Sequence, residues 1–198
     1  MSPRPRTASD EEIFAATARA VGRVGPTRLT LAHVAREVKL SPAALVQRFG
    51  SKRALLLAFV QQAPAAADDC FVAVRAKHAS PIDALIAAAT DMAAHVKSPE
   101  ELANSIAFLQ IDLSDAEFRA PALAQSKHVL AGYEALLRDA IAAGEIASCD
   151  VPRVARAIQA ITGGSLINWA IRREGKVATF VRRDLETLLA PLRRRSRR

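Results

Sequence analysis

The residues best suited to chemistry lie between Thr30 and Arg53, and the chemistry is recognition of a polyanion. Thr30, Ser41 and Ser51 each stand just before a short apolar-periodic run, where a hydroxyl caps a helix N-terminus. Such ends present unpaired backbone N–H groups and a positive dipole to phosphate, and Lys52 and Arg53 add charge beside the third. In the run opened by Ser41, residues Ala43, Ala44, Val46, Gln47 and Arg48 point away from the inward pair Leu45 and Phe49. Their types fit base-pair edges: Arg48 to guanine, Gln47 to adenine, Ala44 and Val46 to thymine methyls. Arg28 and Lys39 are weaker phosphate candidates.

The elements that must position these groups are short helices. Leu31, Val34, Ala35 and Val38 share one face of the first run; Pro42 occupies the first helical position of the second, and Gly50 suits its left-handed end. Leu55, Leu56 and Phe59 form the inner face of the third. Two short helices joined by a tight turn make a helix-turn-helix, whose second helix enters a major groove. Ahead of it, Ser9 and Glu12 spell a capping box for a helix with Ile13, Phe14, Thr17, Val21 and Val24 inward. That helix stops at Gly25-Pro26 and buttresses the motif as a three-helix unit.

The stretch from Thr30 to Leu56 resembles the DNA-binding signature of the tetracycline-repressor (TetR) family. The matching positions are Thr30, Val34, Ala35, Leu40, Ser41, Leu45, Phe49, Ser51, Lys52 and Leu55. Three positions depart: Lys39 stands where the family has its turn glycine, Val46 where it has a tyrosine, and Arg48 where a histidine precedes the phenylalanine. A lysine held in the left-handed conformation costs about 1–2 kcal/mol. The other two changes alter the contacts to base and phosphate and leave the apolar framework intact. For Lys52 the resemblance strengthens the phosphate assignment.

Charge and composition agree with this division. Residues 1–56 hold ten Lys/Arg against four Asp/Glu, residues 57–192 thirteen against sixteen, and 193–198 five arginines. A basic N-terminus on a mildly acidic body confines polyanion contact to the N-terminus. At 51% hydrophobic residues with eight glycines and few aromatics, the chain reads as all-α. About nine helices are expected in all. Residues 1–8 form a disordered basic arm, in which Arg4 and Arg6 are placed to reach a minor groove. Residues 9–56 make the DNA-binding domain, 57–192 a larger helical effector-binding and dimerisation domain, and 193–198 a basic tail. No apolar run is long enough to span a membrane, and the first ten residues lack the apolar core of a signal peptide. Cys70 and Cys149 are far apart, as expected for two reduced thiols in the cytoplasm.

Within the body, one long helix is expected from Ser51 to about His78 with an interruption at Pro64, and another opens at Pro81. Further helices follow the Ser98-Pro99-Glu100-Glu101 cap, run from about Ala120 to Ala143, from Asp150 to about Glu174, and from about Ala178 to Arg193. The helix after Asp150 is apolar on more than one face and carries Gly163 and Gly164 mid-helix, which favours close approach of a neighbour. Ile158, Ile161, Gly164, Ser165, Val181, Leu185, Leu188 and Leu192 are the candidate dimer-interface residues. The family resemblance implies the same pairing of the last two helices with their twofold mates. It also implies a small-molecule cavity among the middle helices, with Phe71, Met92, His95, Phe108, Leu109, Asp112, Tyr133 and Trp169 as candidate liners.

Catalysis finds no residue-level support, and the four histidines have neither i, i+4 pairing nor Cys/His spacing for zinc, so no catalytic residue, metal or cofactor is expected. The expectation is a homodimeric transcription regulator, a repressor released from a palindromic DNA operator by a small-molecule effector. The alternative is a helical small-molecule binding or interaction protein with a degenerate helix-turn-helix.

Overall fold

In the computed structural model the described residues, 8–194, form ten α-helices and a short 3-10 turn; their one β feature is a bridge between Ile146 and Arg193. In order these are α1 (Asp10–Arg28), α2 (Leu31–Val38), α3 (Pro42–Phe49), α4 (Lys52–Val60) and α5 (Ala63–Lys77). They continue with α6 (Pro81–Ala93), α7 (Pro99–Ser114), α8 (Ala116–Ala142), α9 (Val151–Arg172) and α10 (Val177–Leu189). Counting α4 and α5 as the single long helix expected after Ser51 gives nine. The break falls at Gln61 and Gln62, so Pro64 lies in the first turn of α5, where its missing N–H is harmless. Residues 1–7 of the expected arm and 195–198 of the tail lie outside the described residues.

The chain divides into two compact units, Met1–Ala63 with Glu100–Ala122, and Pro64–Pro99 with Leu123–Arg198. A cut at residue 56 assigns residues 100–122 to the body; their packing puts them with the N-terminal helices. In that first unit Ile13, Ala16, Ala20, Val34, Leu45 and Leu55 are fully buried, and Phe108 and Phe118 join the same core. Phe108 meets both Phe59 and Phe118 edge-on, with ring centroids 6.5 and 6.1 Å apart. The expected stop in α1 occurs at Gly25, whose φ of 75° and ψ of 159° suit only glycine. A Cβ there would lie 2.7 Å from Asn104 Oδ1, while Asn104 Nδ2 donates to the Gly22 carbonyl at 2.6 Å.

The second unit is organised around α6. Ile82, every residue from Ala84 to Thr90, and Ala93 are buried, and small alanine side chains let α9 and α10 approach it closely. Gly132 on α8 makes room for the ring of Phe71, which would lie 2.2 Å from an added Cβ; Tyr133 meets the same ring edge-on at 5.3 Å. Glu145 fastens three segments. Its Oε2 accepts from Ser80 Oγ and the Ile82 N–H, both at 3.0 Å, and its carbonyl accepts from the Arg194 N–H. Asp150 caps α9 as expected, through the Arg153 N–H at 3.1 Å. The start of α8 lies four residues earlier than the expected Ala120, because Asp115 Oδ1 accepts from the Glu117 N–H and Pro121 sits within the helix.

Candidate nucleic-acid interface

Hydroxyl caps define the motif one helix end at a time. Ser41 Oγ accepts from the Ala44 N–H at 3.1 Å, and Ser51 Oγ from Ala54 at 3.1 Å. At Thr30 the box is closed by a histidine: Thr30 Oγ1 accepts from the His33 N–H, and His33 Nδ1 accepts from the Thr30 N–H at 3.2 Å. The turn between α2 and α3 is made by Lys39 at φ 57°, ψ 37°; the Lys39 and Leu40 N–H groups both bond the Ala35 carbonyl. The lysine takes the left-handed geometry that the family gives to glycine.

Leu45 is fully buried and anchors α3, which leaves Ser41, Ala43, Val46, Gln47 and Arg48 exposed and Ala44 half-buried. Val46 is 47% exposed, an apolar group presented outward. Arg48 is placed differently from its expected role. Its Nη1 donates to the Ala8 carbonyl at 2.6 Å, Nη2 pairs with Asp10 Oδ1 at 2.8 Å, and the guanidinium lies 5.9 Å from the Phe49 ring centroid. Both arms of the fork are occupied, so bidentate contact with guanine requires breaking them.

Lys52 Nζ donates to the carbonyls of Pro26 and Thr27 at 3.3 and 3.4 Å, tying α4 to the end of α1. Arg53 grips Asp115 and Glu117, each at 2.5 Å, and covers the Phe118 ring. That hydrogen-bonded fork raises the Arg53 pKa and holds the Asp115 carboxyl below its ordinary range. Glu37, half-buried on α2, pairs with Arg19 and Arg23 of α1, each at 2.8 Å. Sequence reasoning missed these links because each joins residues far apart in the chain. Much of the positive charge of residues 1–56 is therefore spent inside the unit.

The candidate effector residues are divided between the two units. In the first, Phe108 is core, Leu109 is exposed, and Asp112 is half-buried with its Oδ1 unpartnered. Desolvation raises the Asp112 pKa to about 6. In the second, Phe71 and Tyr133 are core, Met92 packs partly buried against it, and His95 is exposed. Burial pushes the Tyr133 hydroxyl up to about 12. Trp169 donates from Nε1 to the Gly175 carbonyl at 3.1 Å and borders an open cleft of about 330 Å³, with Val96, Lys97 and Lys176 among its other walls. Of the eight candidates, that cleft takes Trp169.

Four of the dimer candidates are corrected by their burial. Ile158, Ser165, Val181 and Leu185 face the interior of the protomer, where Ser165 Oγ also donates to Asp184 Oδ2 at 2.6 Å; α9 and α10 pack on each other and on α6 through these residues. Ile161, Leu188 and Leu192 pack half-buried on the same core, and Gly164 is half-buried with open space beyond its Cα. The open face of α9 carries Ala160, Gly163, Ile167 and Ile171, the last two 49% and 75% exposed.

A capped helix-turn-helix with an exposed second helix and a third helix behind it defines a DNA-binding domain of regulatory type. Residues 13–59 match the family model described as bacterial regulatory proteins, tetR family. Among solved structures, the chain is similar to a TetR transcription regulator from Haloarcula marismortui (22% identity, TM-score 0.72), over 93% of this chain and 98% of that one. A TetR transcriptional regulator from Streptomyces coelicolor gives 23% identity and a TM-score of 0.71 over the same shares. SmeT, the repressor of the Stenotrophomonas maltophilia multidrug efflux pump SmeDEF, gives 20% and 0.67, over 96% of this chain and 93% of that one. No curated protein matches the chain. The tetR-family match is confined to residues 13–59, and the described chain shares its fold with these solved TetR-family regulators. No described helix is long and apolar enough to cross a membrane, and no cluster of three or more potential metal ligands occurs among the described residues.

Proposed function

We propose that this protein is a cytoplasmic, effector-responsive transcription regulator that binds a palindromic operator as a homodimer and acts as a repressor. The observation that carries the reading is the face of α3: Leu45 is buried while Ala43, Val46 and Gln47 point outward from a helix capped by Ser41. In this reading Gln47 bonds adenine, Ala43, Ala44 and Val46 meet thymine methyls, and the N-terminal ends at Thr30, Ser41 and Lys52 hold phosphates. One such helix reads few base pairs, so two copies are needed about 34–36 Å apart. The face of α9 formed by Ala160, Gly163, Ile167 and Ile171 is the surface proposed to pair with a second copy, since its small residues permit close helix approach. An effector releases the operator only by binding the non-reading state more tightly than the reading one.

The test is selection of duplexes from a random pool, followed by binding across a salt series. The expected product is an inverted repeat with half-sites one turn apart and a log K that falls with log salt. Gln47→Ala should relax preference at one position per half-site by about 1–3 kcal/mol. Recovery of no preferred sequence, or a flat salt response, would refute the DNA-reading assignment. Ile171→Asp should convert a dimer to monomer in sedimentation, and a thermal-shift screen for compounds that lower operator affinity would find the effector.

A further inference from the structure

Arg53 stands in the first turn of α4, beside a helix end proposed to hold phosphate. Ser51 Oγ accepts from the Ala54 N–H, and helix geometry gives the Lys52 and Arg53 N–H groups no acceptor within α4. A phosphate seated on those groups lies within reach of the Arg53 side chain. The guanidinium is engaged elsewhere, with partners that belong to the same N-terminal unit. Nη1 donates to Asp115 Oδ2 and Nη2 to Glu117 Oε2, each at 2.5 Å, and the group lies over the Phe118 ring, 5.1 Å from its centroid. These partners are fixed in their turn. Asp115 Oδ1 accepts from the Glu117 N–H at 3.0 Å at the start of α8, and Phe118 is buried. Two carboxylates and a ring thus hold one arginine at the edge of the motif.

We propose that Asp115 and Glu117 withhold Arg53 from the DNA backbone, competing with phosphate for its guanidinium, and so limit how tightly the domain holds a duplex of any sequence. This rests on the DNA-reading function proposed above. Arg53 is 51% exposed, and a half-exposed ion pair is individually weak, so exchange of carboxylate for phosphate is open. The balance is tipped by number and by order. Two carboxylates offer two negative charges against one on a phosphate, and both are already in place before DNA arrives. Phosphate is the same in every sequence, so the effect falls on affinity and salt dependence and leaves base preference to α3.

The experiment compares the full chain with Asp115→Asn/Glu117→Gln, with Arg53→Gln, and with the three changes combined. Affinity is measured across a salt series on the operator recovered by selection and on an unrelated duplex. The asparagine keeps the carboxylate's shape and an oxygen to cap α8. The double variant should bind both duplexes more tightly and steepen the salt slope by about 0.9, one further phosphate contact. Its affinity then falls roughly threefold more than that of the unaltered protein between 50 and 200 mM salt. Arg53→Gln alone should leave the slope and the preferred sequence unchanged, and added to the double variant it should return the slope to its original value. Glu117→Gln, which leaves Asp115 and its cap intact, should give part of the gain and carries the test if the double variant does not fold. A slope lowered by Arg53→Gln alone would mean that the arginine already sits on phosphate. That result, an unchanged slope in the carboxylate variants, or a gain that survives the triple change would overturn the proposal. Failure of the unaltered protein to select any sequence would instead strike the DNA-reading function beneath it.

Discussion

The N-terminal unit is defined by its helix ends, the body by its helix faces. Helices α2, α3 and α4 are eight, eight and nine residues long, too short to persist alone, and each begins at a side-chain hydroxyl that accepts from the backbone three residues on. Charged links then fasten one element to another: Glu37 to Arg19 and Arg23, Arg48 to Asp10, Arg53 to Asp115 and Glu117. In the body, α6 has nearly all of its residues out of solvent, and α10 begins at Lys176 with no side-chain cap at all. A small domain that leaves one helix face in solvent cannot bury all its helices. It fixes their ends instead, whereas the body relies on close packing.

The largest expected effect breaks that packing. Leu85 is fully buried at the middle of α6, and Leu85→Ala should cost about 2–5 kcal/mol, read as a lower denaturant midpoint at fixed protein concentration. Next comes Gly132→Ala, whose new methyl would meet the Phe71 ring; it should cost about 1–3 kcal/mol. Shortening the ring with Phe71→Leu in the same chain should return part of that loss. Independent, additive losses would show that the two residues do not share one space.

The same contrast decides what the sequence reveals. Caps and turns are local signals, so Ser9, Thr30, Ser41, Ser51 and Asp150 all mark helix starts within a few residues of themselves. The fold class and the outward face of α3 were legible for that reason. Contacts between distant residues leave no such trace. Nothing near Arg48 announces that Ala8 and Asp10 will occupy it, and nothing near Glu145 announces Ser80, Ile82 and Arg194. The a/d-like spacing of Val181 and Leu185 shows that α10 has a neighbour, but not whether that neighbour is α9 of the same chain or a second copy. Gly132, an isolated glycine inside a helical pattern, is a long-range contact that does carry a local sign.

A smaller effect tests the claim that the N-terminal unit depends on its helix ends. Lys39 holds a left-handed turn that glycine adopts without strain, so Lys39→Gly should stabilise that unit by about 1 kcal/mol. The gain should appear in hydrogen exchange of α2 and α3 and be absent from α6. If protection rises equally in α6, the two units unfold as one and the regional distinction fails.

The smallest effect is a pH dependence that sets two neighbouring carboxylates against each other. Asp112 has an unpartnered oxygen, and desolvation raises its pKa from 3.8 to about 6. Between those values the native state holds more protons than the unfolded chain, so this group lowers stability as pH rises, and its full penalty is present above pH 6. Asp112→Asn should therefore raise the denaturation midpoint at pH 8, less so at pH 6, and not at all near pH 4. Asp115, hydrogen-bonded by Arg53, has its pKa lowered, so its contribution is present above the unfolded value and lost as pH falls through the folded one. Asp115→Asn should then lower the midpoint at pH 8 and lose that effect in acid. Two carboxylates three residues apart, one lacking a partner and one gripped by an arginine, should give pH profiles of opposite sign. Profiles of the same sign would mean that the Arg53 fork does not persist in solution.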